Sequence, residues 1–345
     1  MIDVAIPLFL VVCGIAVLLV KDLMSSIMIF SVYSLLIAIE WVRLNAIDVA
    51  ITEAAVGAGI STVLFMIILS RTKSVEECKK SISIPALLVA VGVAGVLLYG
   101  SVDLPNLRDP NIAPSTHVSP YYLENAYKQT GQENAVAAIL ASYRGYDTLG
   151  ETTVVATAAF CLILLLRGRR HTNKDLKKYE DTSINKCTVK GVGIKPTKTS
   201  PPGSEQDKDI IKKTVTKFLM PFIQLFGLYV IVHGELGPGG GFQGGVVLGV
   251  SIIVYSLVFG FKEAQQRMSV KAKDLLVSSG VLIYGGIGVL ALFFGGNYLQ
   301  YNVLLPDPKF ASIIGILGIE IGVGITVAAV MITLFYETVR IDANG

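Results

Sequence analysis

Charge is the first thing this sequence has little of. Only 16% of its 345 residues are Asp, Glu, Lys or Arg, against about a quarter in a soluble globular domain. That scarcity excludes an ordinary soluble globule, and 52% apolar residues with a mean hydropathy of +0.63 point to a bilayer instead. Cysteine is scarce too. Cys13 and Cys161 fall in apolar runs, Cys78 and Cys187 fall in charged loops, and none sits in a CxxC or Cys/His spacing. This pattern excludes a cysteine metal site and argues against disulfides. With three histidines, no nucleophile triad, no metal-ligand set and no nucleotide motif, the chain carries no complete catalytic centre. No cofactor is expected, and the net charge of +3 reports topology rather than nucleic-acid binding.

What the sequence has is long apolar runs. A helix needs about 20 largely apolar residues to cross a roughly 30 Å hydrocarbon core, with its backbone polar groups satisfied internally. Nine runs qualify: Val4 to Val20, Leu23 to Val42, Ile47 to Ser70, Ile84 to Gly100, Glu151 to Leu166, Thr214 to Val232, Phe242 to Phe261, Asp274 to Phe294 and Ala311 to Tyr336. The first lacks the basic flank and small-residue cleavage site of a signal peptide and reads as a span. The expected fold is therefore an all-α integral membrane protein of about nine transmembrane helices, five plus four, joined by a basic cytoplasmic linker.

Lys and Arg are retained on the cytoplasmic side. Nine spans with the N-terminus outside and the C-terminus cytoplasmic put 24 of the 29 basic residues on one side, leaving Arg43, Arg108, Lys128, Arg144 and Lys309 outside. Residues 167–213 form the linker, charged throughout and containing TKTSPPGSEQ, a composition that cannot bury a core. Residues 101–150 form an external insertion. Its four early prolines forbid a long helix there, whereas ENAVAAILASYR, Glu133 to Arg144, has the spacing of a short surface helix.

Ionisable residues at bilayer depth are costly and often mark an ion path. Glu53 lies about six residues into its span, roughly 9 Å along the helix, and shares a face with Gly57, Ser61 and Leu64. It reads either as a relay carboxylate or as one bonded to a neighbouring helix. Glu320 has the same two readings, because Gly315, Gly318, Gly322 and Gly324 let another helix come close. Asp147 and Glu151 open the fifth span in YRGYDTLGETT; capping by Asp147 or Thr148 accounts for the former better than for the latter. Glu40 and Arg43, spaced i, i+3 beside Trp41, suit an interfacial ion pair. Asp48 suits a helix start. His233 ends the sixth span with Glu235 two residues on, and reads either as a satisfied interfacial histidine or as a proton carrier; Gln224 on that span needs a polar partner.

HGELGPGGGFQGGVV, His233 to Val247, places seven glycines between Gly234 and Gly245. A phosphate loop would follow a strand and be followed by Lys-Ser or Lys-Thr. This stretch follows a helix and continues with Val246-Val247, so it reads as a tight outer hairpin. Gly237-Pro238 breaks the chain direction, Gly239 to Gly241 allow unusual backbone angles, and Gly245 with Gly249 begins a small-residue packing face.

These residues carry a resemblance. The second block, PFIQLFGLYVIVHGELGPGGGFQGGVVLG through GIEIGVGITVAAVMITLFYE, resembles the B subunit of Mrp-type multisubunit sodium/proton antiporters. The first block resembles the C-terminal part of the Mrp A subunit, which occurs as separate small subunits in archaeal membrane-bound hydrogenases and related complexes. NAIDVAITEAAVGAGISTVLF is similar to the first of those pieces, and HVSPYYLENAY with YRGYDTLGETTV to the second. The resemblance divides the chain into A-like blocks 1–83 and 84–166, the join 167–213 and a B-like four-helix domain 214–345.

The resemblance implies a membrane subunit of a cation (Na⁺)/proton antiporter module. Its implied partners are other Mrp-like subunits and hydrogenase-like or sulfur-reductase redox subunits. The implied ion-translocating carboxylates are Glu53 and Glu151, to which the residue reading adds Glu320 and His233, with Asp48, Asp147, Glu235 and Glu40 in support. Two positions depart from the family pattern. Glu53 and Gly57 stand where Gln then Glu is common, and Glu320 stands where Asp usually precedes Ile-Gly-Val. The competing expectation is a scaffold whose carboxylates only bind helices together.

Overall fold

The computed structural model describes residues 2–70, 72, 84–105, 109, 111–112, 114–183 and 204–340. The loop carrying Cys78 and the linker centre carrying Cys187 lie outside the described residues. Helices α1 (Ile2–Leu19) and α2 (Leu23–Arg43) form a hairpin. Asp22 caps α2 by accepting from the Ser25 N–H at 3.0 Å and the Ser25 hydroxyl at 2.5 Å. The hydroxyl bond does most to hold the Asp22 carboxyl below the usual carboxylate range.

Helix α3 (Ile47–Leu69) contains a π-helical stretch, Ala54–Ser61. Two causes are visible. Gly57 and Gly59 weaken the α-helical ladder, and the Ser31 hydroxyl of α2 donates to the Ala58 carbonyl at 3.2 Å. Helix α4 (Ile84–Val102) contains no buried residue.

Helix α5 (Ser119–Thr130) and the single turn α6 (Ala135–Ala138), extended by a π turn over Ile139–Tyr143, fill the insertion. Helices α7 (Gly145–Ser183), α8 (Ser204–His233), α9 (Gly241–Phe259), α10 (Phe261–Arg267), α11 (Val270–Phe293) and α12 (Pro308–Arg340) complete the chain. Among the described residues, eight helices are long and apolar enough to cross a membrane; α1, apolar over Val4–Leu19, is shorter than these.

Helix α12 is the centre of the fold, with 56% of its span buried against 0% for α4. It packs on α9, α11 and α7. Between membrane helices the drive is close contact rather than expulsion of water, and the glycines supply it. A Cβ at Gly245 would lie 2.6 Å from the Gly324 carbonyl, and one at Gly249 would lie 2.9 Å from the Met331 Cβ.

Three expectations change. The helix of the fifth span starts at Gly145 and runs on to Ser183, and the sixth starts at Ser204, so helix invades both ends of the linker. Extending an existing helix adds a hydrogen bond for each residue fixed, and Lys, Arg and Glu are good helix formers. The segment Glu133 to Arg144 is not a surface helix, because Ala137, Ala138 and Ala141 are 8%, 0% and 0% exposed. Tyr301, in the α11–α12 connection, donates to the Ala141 carbonyl at 2.8 Å, and Tyr284 of α11 donates to the carbonyl of Gly145, just after the segment, at 2.7 Å. Burial pushes the Tyr301 phenol well above its usual range. Finally, of Gly239 to Gly241, only Gly240 takes a positive φ, at +130°.

Candidate functional site

The glycine hairpin is held by residues far away in sequence. After α8 ends at His233, the Gly237 N–H bonds the His233 carbonyl at 3.0 Å and the Gly240 N–H bonds the Val230 carbonyl at 3.0 Å, folding the loop back on its helix. Asp48, in the first turn of α3, accepts from the Gly239 N–H at 2.8 Å. Glu320 of α12 accepts from the N–H of Gly241, the first residue of α9. A carboxylate at a helix N-terminus meets unpaired N–H groups and the positive end of the helix dipole. Glu320 thus makes an interhelical hydrogen bond and caps α9.

The same two carboxylates face a cavity of about 340 Å³, and Glu151 of α7 joins them in its lining. Asp48 and Glu320 are half-buried, whereas Glu151 is exposed and stands at the rim. Thr52, Thr148, Gln243 and Asn134 add polar groups, and Val323 and Val327 line part of the α12 side. No Lys or Arg is among the described lining residues. The volume is large enough for several waters, each occupying about 30 Å³ in the liquid. Among the described residues, no three His, Cys, Asp or Glu side chains cluster tightly enough to hold a metal ion. The carboxylates therefore border an open space.

Glu53, His233, Glu235, Asp147, Glu40 and Gln224, also singled out by sequence, lie off this lining. The Glu53 carboxylate lies over Gly57, where an added Cβ would collide with it and would also lie 2.8 Å from the Ser34 hydroxyl of α2. The His233 ring stacks on Tyr229 with centroids 4.9 Å apart, and a Cβ at Gly237 would lie 3.0 Å from its Nε2. Glu235, in the loop itself, has a buried Oε1 without a hydrogen-bond partner, and burial raises its carboxyl above the usual range. Asp147 is exposed and pairs with Arg144 at 2.5 Å rather than capping α7, and the Thr148 hydroxyl donates to the Leu140 carbonyl at 2.8 Å. Glu40 pairs with Arg43 at 2.7 Å, and Gln224 donates to the Ser251 hydroxyl at 3.3 Å.

Sequence reasoning missed Asn134, Gln243 and the central place of Asp48. Asp48 and Gly239 are 191 positions apart, so no local spacing could connect them. Asn134 carried one usable signal, because Asn ahead of an Ala-rich run suits an N-cap.

Comparison with known proteins bears on all three parts of the cavity. Residues 8–74 match the MbhD family, described as the D subunit of MBH, and residues 106–182 match the MbhE family, described as its E subunit. Residues 211–333 match the domain related to the MnhB subunit of Na⁺/H⁺ antiporter. Among relatives, the chain is 27% identical over 335 residues to a probable A/B subunit of a K⁺/H⁺ antiporter from Rhizobium meliloti, covering 92% of this chain and 32% of that protein. It is 30% identical over 132 residues to a putative antiporter subunit mnhB2 of Staphylococcus epidermidis, covering 37% of this chain and 93% of the relative.

Among solved structures, a chain of the Mrp complex from Dietzia sp. superposes with a TM-score of 0.71 at 26% identity, over 97% of this chain and 34% of that one. A chain of an archaeal membrane-bound sulfane sulfur reductase superposes with a TM-score of 0.50 at 25% identity, over 74% of this chain and 96% of that one. The chain spans about a third of the length of the Rhizobium relative and of the Dietzia protein. With MbhD-like, MbhE-like and MnhB-like segments in that order, the chain belongs to the family of multi-pass membrane subunits of Mrp-type multisubunit antiporters.

Proposed function

We propose that this chain works as a membrane subunit of a multisubunit Na⁺/proton antiporter module, and that its cavity is a carboxylate vestibule on the ion path. The observation that carries the reading is the convergence of Asp48, Glu151 and Glu320 on one cavity with no basic residue among its described lining. Negative groups without a countercharge concentrate cations. A space that holds water lets a cation keep part of its hydration shell, and each carboxylate there exchanges a proton for a cation as the local concentrations change.

The names of the relatives divide between K⁺ and Na⁺, and a solvated vestibule tolerates either ion. The sulfane sulfur reductase relative is a respiratory membrane complex, and we place this chain in a module of that kind beside other Mrp-like subunits and a redox arm. The bias of 24 of 29 basic residues to one side supports an outer N-terminus and a cytoplasmic C-terminus, which turns the vestibule outward.

Glu320→Gln and Glu151→Gln, made separately in the assembled complex, are expected to reduce Na⁺-driven proton exchange in inverted vesicles by at least tenfold while leaving the protein composition of the complex unchanged. Running the assay with K⁺ in place of Na⁺ identifies the cation. Wild-type exchange in both variants would sink the vestibule. A loss of exchange that merely followed loss of assembly would favour the scaffold.

A further inference from the structure

Asn134 is the most fully bonded polar side chain at the cavity edge. Its Nδ2 donates to the Gly234 carbonyl at 2.9 Å and the Gly237 carbonyl at 2.8 Å, and its Oδ1 accepts from the Val136 N–H at 3.0 Å, capping α6. Its own N–H donates to the Glu235 carbonyl at 3.0 Å. Three of these four bonds grip the glycine loop from a segment about a hundred residues earlier in the chain. The same loop, two and four residues beyond Gly237, presents the N–H groups of Gly239 and Gly241 to Asp48 and Glu320.

We infer that Asn134 is a positioning residue for the ion vestibule: by clamping the Gly234–Gly237 turn, it fixes the backbone amides that aim the Asp48 and Glu320 carboxylates at the cavity. The loop has little stiffness of its own. Seven glycines between Gly234 and Gly245 leave few side chains to brace it, and glycine has the widest backbone freedom of any residue. Two side-chain bonds from one amide restrict that freedom where the loop turns. Without them, Gly239 and Gly241 sample other positions, and the two carboxylates lose the donors that orient them. The Asn134 N–H to Glu235 carbonyl bond survives a side-chain change but holds only one point of the turn, and the Gly240 N–H to Val230 carbonyl bond ties the loop only to its own helix.

The inference rests on the vestibule reading, and its test separates the two. Asn134→Ser keeps a capping oxygen for α6 and adds no charge to the cavity, but cannot span to both carbonyls; Asn134→Thr is a second cap-competent variant if the first fails to assemble. In the assembled complex, the apparent KM for Na⁺ is expected to rise about tenfold, the scale of losing one to two hydrogen bonds. The maximal rate is expected to fall much less, and hydrogen exchange at the Gly239 and Gly241 amides to accelerate. An unchanged KM with accelerated exchange would overturn the inference, because the loop would then be loosened without consequence for the ion. Unchanged amide exchange would overturn it at its first step. A loss of rate that only follows the amount of complex would reduce Asn134 to a structural role and overturn it equally. The amide measurement does not depend on transport, so failure of the vestibule itself would leave a loosened loop beside glutamate variants that transport normally.

Discussion

A complex carrying Gly241→Val is expected not to accumulate in the membrane. A Cβ at Gly241 would collide with the backbone carbonyl of Glu320 and lie 3.0 Å from that residue's Oε2. The obstacle is the main chain of the most buried helix, which cannot rotate aside as a flexible side chain would. Overpacking costs about 1–3 kcal/mol and occasionally more, and this site sits at the upper end because α9 and α12 must separate along their length to relieve it. Separation also breaks the Gly241 N–H to Glu320 bond and opens the Gly245–Gly324 approach one turn further on. Gly286→Ala in α11 is the control, since nothing lies within 4 Å of the added atom. The measurement is the amount of intact complex on a native gel. Wild-type amounts of the valine variant would disprove the close approach.

Lys273→Met should have the second largest effect. Lys273 and Glu337 are both 0% exposed, and the lysine Nζ lies 2.8 Å from the Asp274 Oδ1, 3.2 Å from the Glu337 Oε1 and 3.3 Å from the Thr333 hydroxyl. The cluster joins the first turn of α11 to the last turns of α12. Removing the ammonium breaks its ion pair with the fully buried Glu337 carboxylate, and breaking a buried pair costs about 3–5 kcal/mol. The expected outcome is a marked drop in the melting temperature of the purified complex. Lys273→Met with Glu337→Gln should recover part of that drop, because the double variant no longer buries the Glu337 charge. A double variant no more stable than Lys273→Met would show that the pair is not the source of the loss.

These two sites were unequally visible in the sequence. Gly241 stood inside the most diagnostic stretch of the chain, and small residues flanking Glu320 announced close helix packing. Lys273 looked like one more basic residue in a loop, since its partner lies 64 positions later. The spans were legible because hydropathy is a local sum over about 20 residues. The cavity lining was legible only in part: Glu151 and Glu320 stood out as carboxylates in apolar surroundings, whereas Asp48 resembled an ordinary helix-start residue and Asn134 drew no reading of its own. Their meaning lies in hydrogen bonds to backbone atoms of another segment, and a backbone amide has no letter of its own. The alanines of the insertion misled for a related reason, because a small residue is as compatible with a tight contact as with an exposed face.

The cavity draws Asp48 from the MbhD-like segment, Glu151 from the MbhE-like segment and Glu320 from the MnhB-like segment. Because all three ride on one polypeptide, each ribosome delivers them in equal number. No imbalance in expression can leave the cavity with two acids and a missing third. Tethering also makes their meeting an intramolecular event, set by linker reach rather than by the dilute concentration of separate proteins in a membrane.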